Sequence, residues 1–214
     1  MSVFVCGTDT GVGKTIVSAA LLKLYSDVPG LAYWKPVQTG DDDDRATVAR
    51  LSGVAEERLF PNSYRFSEPL SPHRAADLED GHIVLDRLLE DLARYRATGP
   101  VIVEGAGGLL VPLNRRVTWL DFLKLAQLPV VIVARTALGT INHSLLTAKT
   151  LGAAGIARIG FVFCGPDNPD NIRTIMQFTD LPALAQFEYK DGDRLTANVD
   201  PAGLLLRLLN KAPR

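Results

Sequence analysis

Apolar residues are distributed along this chain in two rhythms. Residues 3–6, 101–103, 130–134 and 159–163 are short continuous runs, without the alternation of a half-solvated strand. Runs that short and that continuous predict strands covered on both faces. Between them, apolar positions recur with helical spacing over 15–25, 83–96, 120–127, 142–154 and 171–178, and 202–209 predicts a closing helix. Residues 31–35 read as a further strand stopped by Pro36, and a helical stretch begins at Asp44 and runs toward Leu51. Turn formers clustered at 167–170 and 188–200 predict loops. Strand and helix alternate, so the expected fold class is α/β, a mostly parallel sheet with helices on both faces.

No repeat, low-complexity linker or compositional break divides the 214 residues, which predicts a single domain over 1–214. With 47% hydrophobic and 22% charged residues the chain can build a sizeable core, which excludes a disordered or collagen-like protein. Lys and Arg number 23 against 24 Asp and Glu, a net charge of −1 that argues against a nucleic-acid partner held by a broad basic face. Cys6 and Cys164 sit in apolar strand surroundings and form no regular framework, which points to a reduced compartment. The first residues lack a basic leader and a cleavage-site pattern, and no apolar run has the length to cross a bilayer. The expectation is a cytoplasmic protein with no membrane partner.

The most informative segment is Gly7-Thr8-Asp9-Thr10-Gly11-Val12-Gly13-Lys14-Thr15, between the first strand and the first helix. Glycines let the backbone curl so that successive amides face phosphate oxygens, and the helix start adds its positive dipole end. In a phosphate-binding loop of this kind Lys14 reaches the β- and γ-phosphates and Thr15 offers its hydroxyl to magnesium. Five residues separate Gly7 from Gly13, one more than the usual spacing of such loops. A dinucleotide-binding loop is disfavoured, since its glycine triplet is incomplete and a lysine points into the site.

Three further segments would meet that loop. Lys35-Pro36-Val37-Gln38-Thr39-Gly40 follows the second strand, at the carboxyl edge where open α/β sheets bind ligands, and its lysine and hydroxyl can hold an oxyanion. The acidic run 41–44 opens a helix, and residue chemistry alone leaves open which of its aspartates meets a metal. Glu104-Gly105-Ala106-Gly107-Gly108 follows the run 101–103; an acid at a strand end, beside glycines that let a substrate approach the backbone, suits a magnesium ligand. Leu138-Gly139-Thr140-Ile141-Asn142-His143 begins a helix whose free amides could take a carboxylate, although N-capping by Thr140 or Asn142 is the simpler role. His73 and His143 stand alone without zinc-ligand spacing, and Tyr33 and Trp34 read as packing residues.

In order and spacing, these segments together with Ser71-Pro72-His73 resemble the dethiobiotin synthetase family, from the N-terminus to about residue 165. The resemblance implies a P-loop NTPase-type fold and a magnesium-dependent, ATP-driven cyclo-ligase of biotin biosynthesis. Such an enzyme joins CO2 to 7,8-diaminopelargonate, giving dethiobiotin, ADP and phosphate. The resemblance implies catalytic roles for Lys35, Lys14 and Thr10. It implies nucleotide contacts from Gly11, Val12, Gly13, Lys14, Thr15, Ile16, Asp44, Glu104, Gly105, Ala106, Gly107, Cys164 and Gly165. Substrate contacts fall to Thr39, Lys35, Gly139 and Asn142, and a metal site to Thr15, Asp44 and Glu104. In the family the cleft lies at a homodimer interface.

The chain departs from the family toward its C-terminus. Cys164-Gly165 stands where many members carry Asn-Asp to read adenine, and Cys lacks an amide's paired donor and acceptor. Leu184-Ala185-Gln186-Phe187-Glu188-Tyr189 also lacks the usual Gly-Glu-Ile-Pro. The expectation is a relaxed nucleotide preference, with CTP or GTP accepted beside ATP. Two rival readings remain. One is a corrinoid-precursor amide ligase, whose usual glutaminase domain 214 residues cannot also hold. The other is a nucleotide-switched positioning ATPase of the chromosome-partitioning type, against which Asp9 counts because those loops carry a second lysine there.

Overall fold

The computed structural model describes residues 2–190 and 194–198. The helix expected at 202–209 lies outside them. In chain order the elements are β1 (Val3–Gly7), α1 (Lys14–Leu24), β2 (Ala32–Trp34), β3 (Val37–Thr39), α2 (Asp44–Ser52), β4 (Leu59–Phe60), β5 (Tyr64–Phe66), α3 (Pro72–Leu78) and α4 (Leu85–Arg96). They continue with β6 (Val101–Gly108), α5 (Trp119–Ala126), β7 (Val130–Arg135), α6 (Thr140–Ala153), β8 (Ile159–Cys164), α7 (Pro169–Thr179), β9 (Ala183–Lys190) and β10 (Arg194–Asn198). No helix among the described residues is long and apolar enough to cross a membrane.

The main sheet runs β10-β9-β8-β7-β1-β6-β2-β4, parallel throughout except for β10 against β9. Strand β1 is central, registered Val3 to Ile102 on one side and Phe4 to Val130 on the other. The chain leaves β1 toward β2 and later crosses from β6 to β7, so the winding reverses at β1. Such a reversal opens a crevice beyond the carboxyl ends of the strands, where ligands bind.

The continuous apolar runs follow from two-sided coverage. Alternate residues of one strand enter different cores: Phe4 packs with Trp119 and Phe122 of α5, whereas Val3 and Val5 join Val17, Leu21 and Leu22 of α1. Strands β7 and β8 split the same way, Ile132 and Phe161 on the first face, Val133 and Val162 on the second. The α/β expectation is met.

Several local expectations are corrected. β6 continues to Gly108, so Glu104 lies inside a strand rather than at its end. Within the run 188–200, residues 188–190 and 194–198 are not loop: they belong to the antiparallel strands β9 and β10, whose polar composition suits a sheet edge. Asp167–Asp170 is only partly loop, because Asn168 caps α7 by accepting from the Asn171 amide. The small β3–β5 sheet and α3 carry no periodicity long enough to show in the sequence.

Candidate functional site

The phosphate loop leaves β1 at Gly7 and enters α1 at Gly13, whose φ of 101° only glycine adopts readily. A side chain at Gly13 would also strike Cys164, 2.9 Å from the sulfur. Lys14 is buried and donates to the Asp9 carbonyl at 3.0 Å. Burial pushes its ammonium below the ordinary lysine value; Glu104 opposes this and Lys35 adds to it.

Four elements bring charged and polar groups together beside that lysine. Thr15 Oγ1 donates at 3.1 Å to Asp44 Oδ1 and at 2.9 Å to Glu104 Oε1. Lys35 pairs with Asp44, and its Nζ lies 3.4 Å from Glu104 Oε1. The other oxygen of fully buried Glu104 accepts from the Tyr33 hydroxyl at 3.0 Å. Tyr33 is therefore more than packing: burial and the charge of Glu104 raise its phenol well above the ordinary value, so it remains a donor. Trp34 does pack, edge-on to Tyr95. The Lys35 backbone is tied down by Asn62, whose Nδ2 donates to its carbonyl at 2.7 Å.

Of the acidic run, Asp44 opens α2 and faces Thr15 and Lys35. Asp43 is spent as the helix cap, accepting the Ala46 amide at 2.9 Å. Thr15, Asp44 and Glu104 thus present three convergent oxygen donors. No group of three or more His, Cys, Asp or Glu suited to a metal exists among the described residues. Two carboxylates and a hydroxyl nevertheless suit magnesium, which keeps several water and phosphate ligands.

These groups border a cavity of about 550 Å³ at the carboxyl edge of the sheet. From the loop side it is lined by Thr10, Gly11, Gly13, Lys14, Thr15 and Ile16, and from the facing side by Lys35, Thr39, Asp44, Glu104, Ala106 and Gly107. Gln38, Asp42, the segment Pro69–Pro72 and Val111 complete it, and nothing in the residue types of Gln38, or of Tyr33 behind Glu104, alone marks them for a site. Val12 points away into the core, and Gly105 sits behind the wall against the Phe4 ring.

Besides Val12 and Gly105, four more of the expected site residues do not border this cavity. Cys164 packs on the far side of Gly13, and Gly165 donates to the Phe187 carbonyl at 2.9 Å. Burial raises both Cys6 and Cys164 thiols to about 12, so neither is a ready nucleophile. Gly139 and Asn142 lie at the start of α6. The capping expectation is corrected here: Gly139, at φ 90°, is the cap residue, and the Thr140 hydroxyl instead donates to the Arg135 carbonyl at 2.5 Å. Further along α6, His143 and Leu146 line a second cavity of about 400 Å³, which shares Thr10 and Val111 with the first.

A family model described as an AAA domain matches residues 1–192. A protein of Novosphingobium aromaticivorans called ATP-dependent dethiobiotin synthetase BioD is 50% identical over 192 residues, 86% of this chain and 89% of that one. One of the same name from Nitrobacter hamburgensis is 47% identical over 189 residues, 87% of this chain and 85% of its own length. Among solved structures, a ParA family ATPase of Chlorobium tepidum superposes with a TM-score of 0.58 at 13% identity, over 88% of this chain and 84% of that one. The signal recognition particle 54 kDa protein of Aeropyrum pernix in complex with GDP gives 0.54 at 18%, over 97% of this chain but 46% of its own. At such identities the last two speak for the P-loop NTPase-type fold alone.

Proposed function

The chain belongs to the dethiobiotin synthetase family, ATP-dependent ligases forming C–N bonds in biotin biosynthesis, and from that premise we propose how its own residues carry the reaction. One amine of 7,8-diaminopelargonate adds to CO2 and loses a proton, giving a carbamate. A carbamate oxygen then attacks the γ-phosphorus of the nucleoside triphosphate, and the nucleoside diphosphate leaves. The resulting carbamic–phosphoric anhydride is attacked at its carbonyl by the second amine, phosphate departs, a proton is lost and the ureido ring closes.

The observation that carries this reading is the convergence of Lys14, Thr15, Lys35, Asp44 and Glu104 on one cavity at the sheet's carboxyl edge. The costly step gathers negative charge between carbamate and γ-phosphate. Two buried ammonium groups facing that space, with the loop amides, stabilise such charge without reorganising. Thr15, Asp44 and Glu104 would hold magnesium, which supplies charge neutralisation on the phosphate oxygens when bound. Thr10 lines the cavity from the loop and takes part in placing the carbamate, and Thr39 contacts the diamine from the opposite wall. Gly139 and Asn142 reach the substrate carboxylate in this reading when a second copy brings the start of its α6 to the cavity, which makes the working unit a homodimer. The reaction uses a single catalytic domain over 1–214 and the nucleotide pool of the cytoplasm.

Nucleotide preference is the second element of the proposal. Cys164 and Gly165, packed against Gly13 and Phe187, offer no paired donor and acceptor to a base edge, which supports acceptance of CTP and GTP beside ATP. Incubation with diaminopelargonate, bicarbonate, magnesium and each triphosphate, with the ureido product detected by mass, tests both parts. Absence of product with every nucleotide rejects the reaction; strong selectivity for ATP rejects the relaxed preference.

A further inference from the structure

Gln38 stands on β3 in the wall of the main cavity, beside Thr39 and three residues beyond Lys35. It is 3% exposed. Its Nε2 donates to the Thr39 carbonyl at 3.2 Å. A carbonyl only accepts, so the amide nitrogen must face Thr39, and this fixes the opposite end of the group as Oε1. That oxygen is buried and has no hydrogen-bond partner. Four such side-chain atoms occur among the described residues, on Ser18, Trp34, Gln38 and His73, and of these four residues only Gln38 lines the cavity.

A buried acceptor without a partner is rare in folded proteins and is retained where a ligand supplies the donor. The chemistry of that ligand is restricted. One of the two N–H groups of the Gln38 amide is engaged by Thr39, and the atom left without a partner is the acceptor Oε1, whose lone pairs repel phosphate and carboxylate oxygens and attract N–H. Across the cavity, the loop and Lys14 form the anion-binding wall. Gln38 therefore faces the species that receives the phosphoryl group, not the one that gives it.

We propose that Gln38 is a specificity-determining residue whose Oε1 accepts a hydrogen bond from an amino group of the diamine. This rests on the reaction proposed above. In that reaction both amines must act in turn, and an acceptor that holds one of them directs its lone pair while the other is carboxylated. The terminal torsion of glutamine is soft, so the carbonyl can follow the amine as the substrate settles. A site that hydrogen-bonds a substrate N–H also rejects analogues lacking it.

The test compares wild type with Gln38→Met, which keeps the length of the side chain and removes its polar atoms, and with Gln38→Asn, which keeps the amide but withdraws it by one methylene. In both variants the KM for the diamine is expected to rise about 10-fold or more, with the KM for ATP within twofold of wild type. Thermal shift by the diamine alone, without nucleotide, should shrink in parallel, while the shift by ATP is retained. Product from wild type with an unchanged diamine KM in both variants overturns the assignment of Gln38 and leaves the reaction standing. Equal rises in both KM values overturn it too, since that is the signature of a wall residue that only shapes the cavity. Absence of wild-type product overturns the reaction itself, and the assignment with it.

Discussion

Arg135 at the end of β7 donates from Nη2 to Asp9 Oδ2 at 2.8 Å. The pair joins two functional segments across 126 residues of sequence. Asp9 Oδ1 accepts the Thr10 amide at 2.7 Å, and the Asp9 carbonyl accepts from Lys14. On the other side, the Arg135 carbonyl accepts from Thr140 at the start of α6. The phosphate loop and the α6 terminus are thus held to one strand end.

The two charged side chains are 43% and 49% exposed, so the pair adds no more than about 1 kcal/mol to stability. Its effect should fall on loop placement. Arg135→Ala is expected to leave the melting temperature within a few degrees of wild type and to raise the nucleotide KM several-fold. The gap between variant and wild type should narrow at high salt, as expected for a solvent-exposed pair. Steady-state kinetics at two ionic strengths checks both statements.

Lys35 is the counter-charge for a wholly buried glutamate. Lys35→Ala should nearly abolish turnover. It also leaves Glu104 and Asp44 facing each other beside Thr15, a break in a buried pair that costs on the order of 3 kcal/mol. Added magnesium should restore more of the lost melting temperature in the variant than it adds to wild type. Calorimetry with and without the ion measures the difference; unchanged turnover would remove Lys35 from the mechanism.

Tyr33→Phe deletes the donor to Glu104 Oε2 and leaves that oxygen buried without it. The expected loss is about 1–3 kcal/mol of stability. Because the hydroxyl also orients the carboxylate toward Thr15, the magnesium concentration for half-maximal rate should rise while the KM for the diamine does not. Chemical denaturation and a magnesium titration of the rate report the two effects.

The lowered Lys14 pKa gives a pH signature. Burial disfavours its charged form, so the free protein loses this proton at lower pH than an ordinary lysine does. In stability terms the sign is the reverse of an ion-paired lysine: the charged, buried form destabilises the fold below the folded pKa, and the penalty disappears as pH rises past it toward the unfolded value. Bound triphosphate favours the ammonium again. Nucleotide binding on the alkaline side, between the lowered value and that of an ordinary lysine, should therefore take up protons. Titration calorimetry in two buffers of different ionisation enthalpy detects the uptake, and Lys14→Met should abolish it.

The sequence is most legible where one residue type has one use. A glycine-rich turn ending in Gly13-Lys14-Thr15 after an apolar run has little purpose besides holding phosphate, and strands covered on both faces announce themselves as unbroken apolar runs. The acidic run shows the opposite case. Asp41 to Asp44 are chemically identical, and only the entry of the chain into α2 separates Asp43, which caps, from Asp44, which faces Thr15. Gln38 and Tyr33 are illegible for a related reason. Their roles come from neighbours distant in sequence, the cavity and Glu104, and not from any local spacing. The antiparallel pairing of β9 with β10 is hidden by a polar composition that resembles that of a loop.

The place of β1 has a consequence for synthesis on the ribosome. Both of its neighbours lie far downstream, Ile102 opposite Val3 and Val130 opposite Phe4. Strand β1 is therefore made well before either of its pairing partners. Until β6 has emerged, an apolar edge stands open next to a loop that has no scaffold, a state prone to association with other nascent chains. Fragments ending before β6 should neither bind nucleotide nor stay dispersed, and the interval before residue 101 appears is the one in which a chaperone has most to protect.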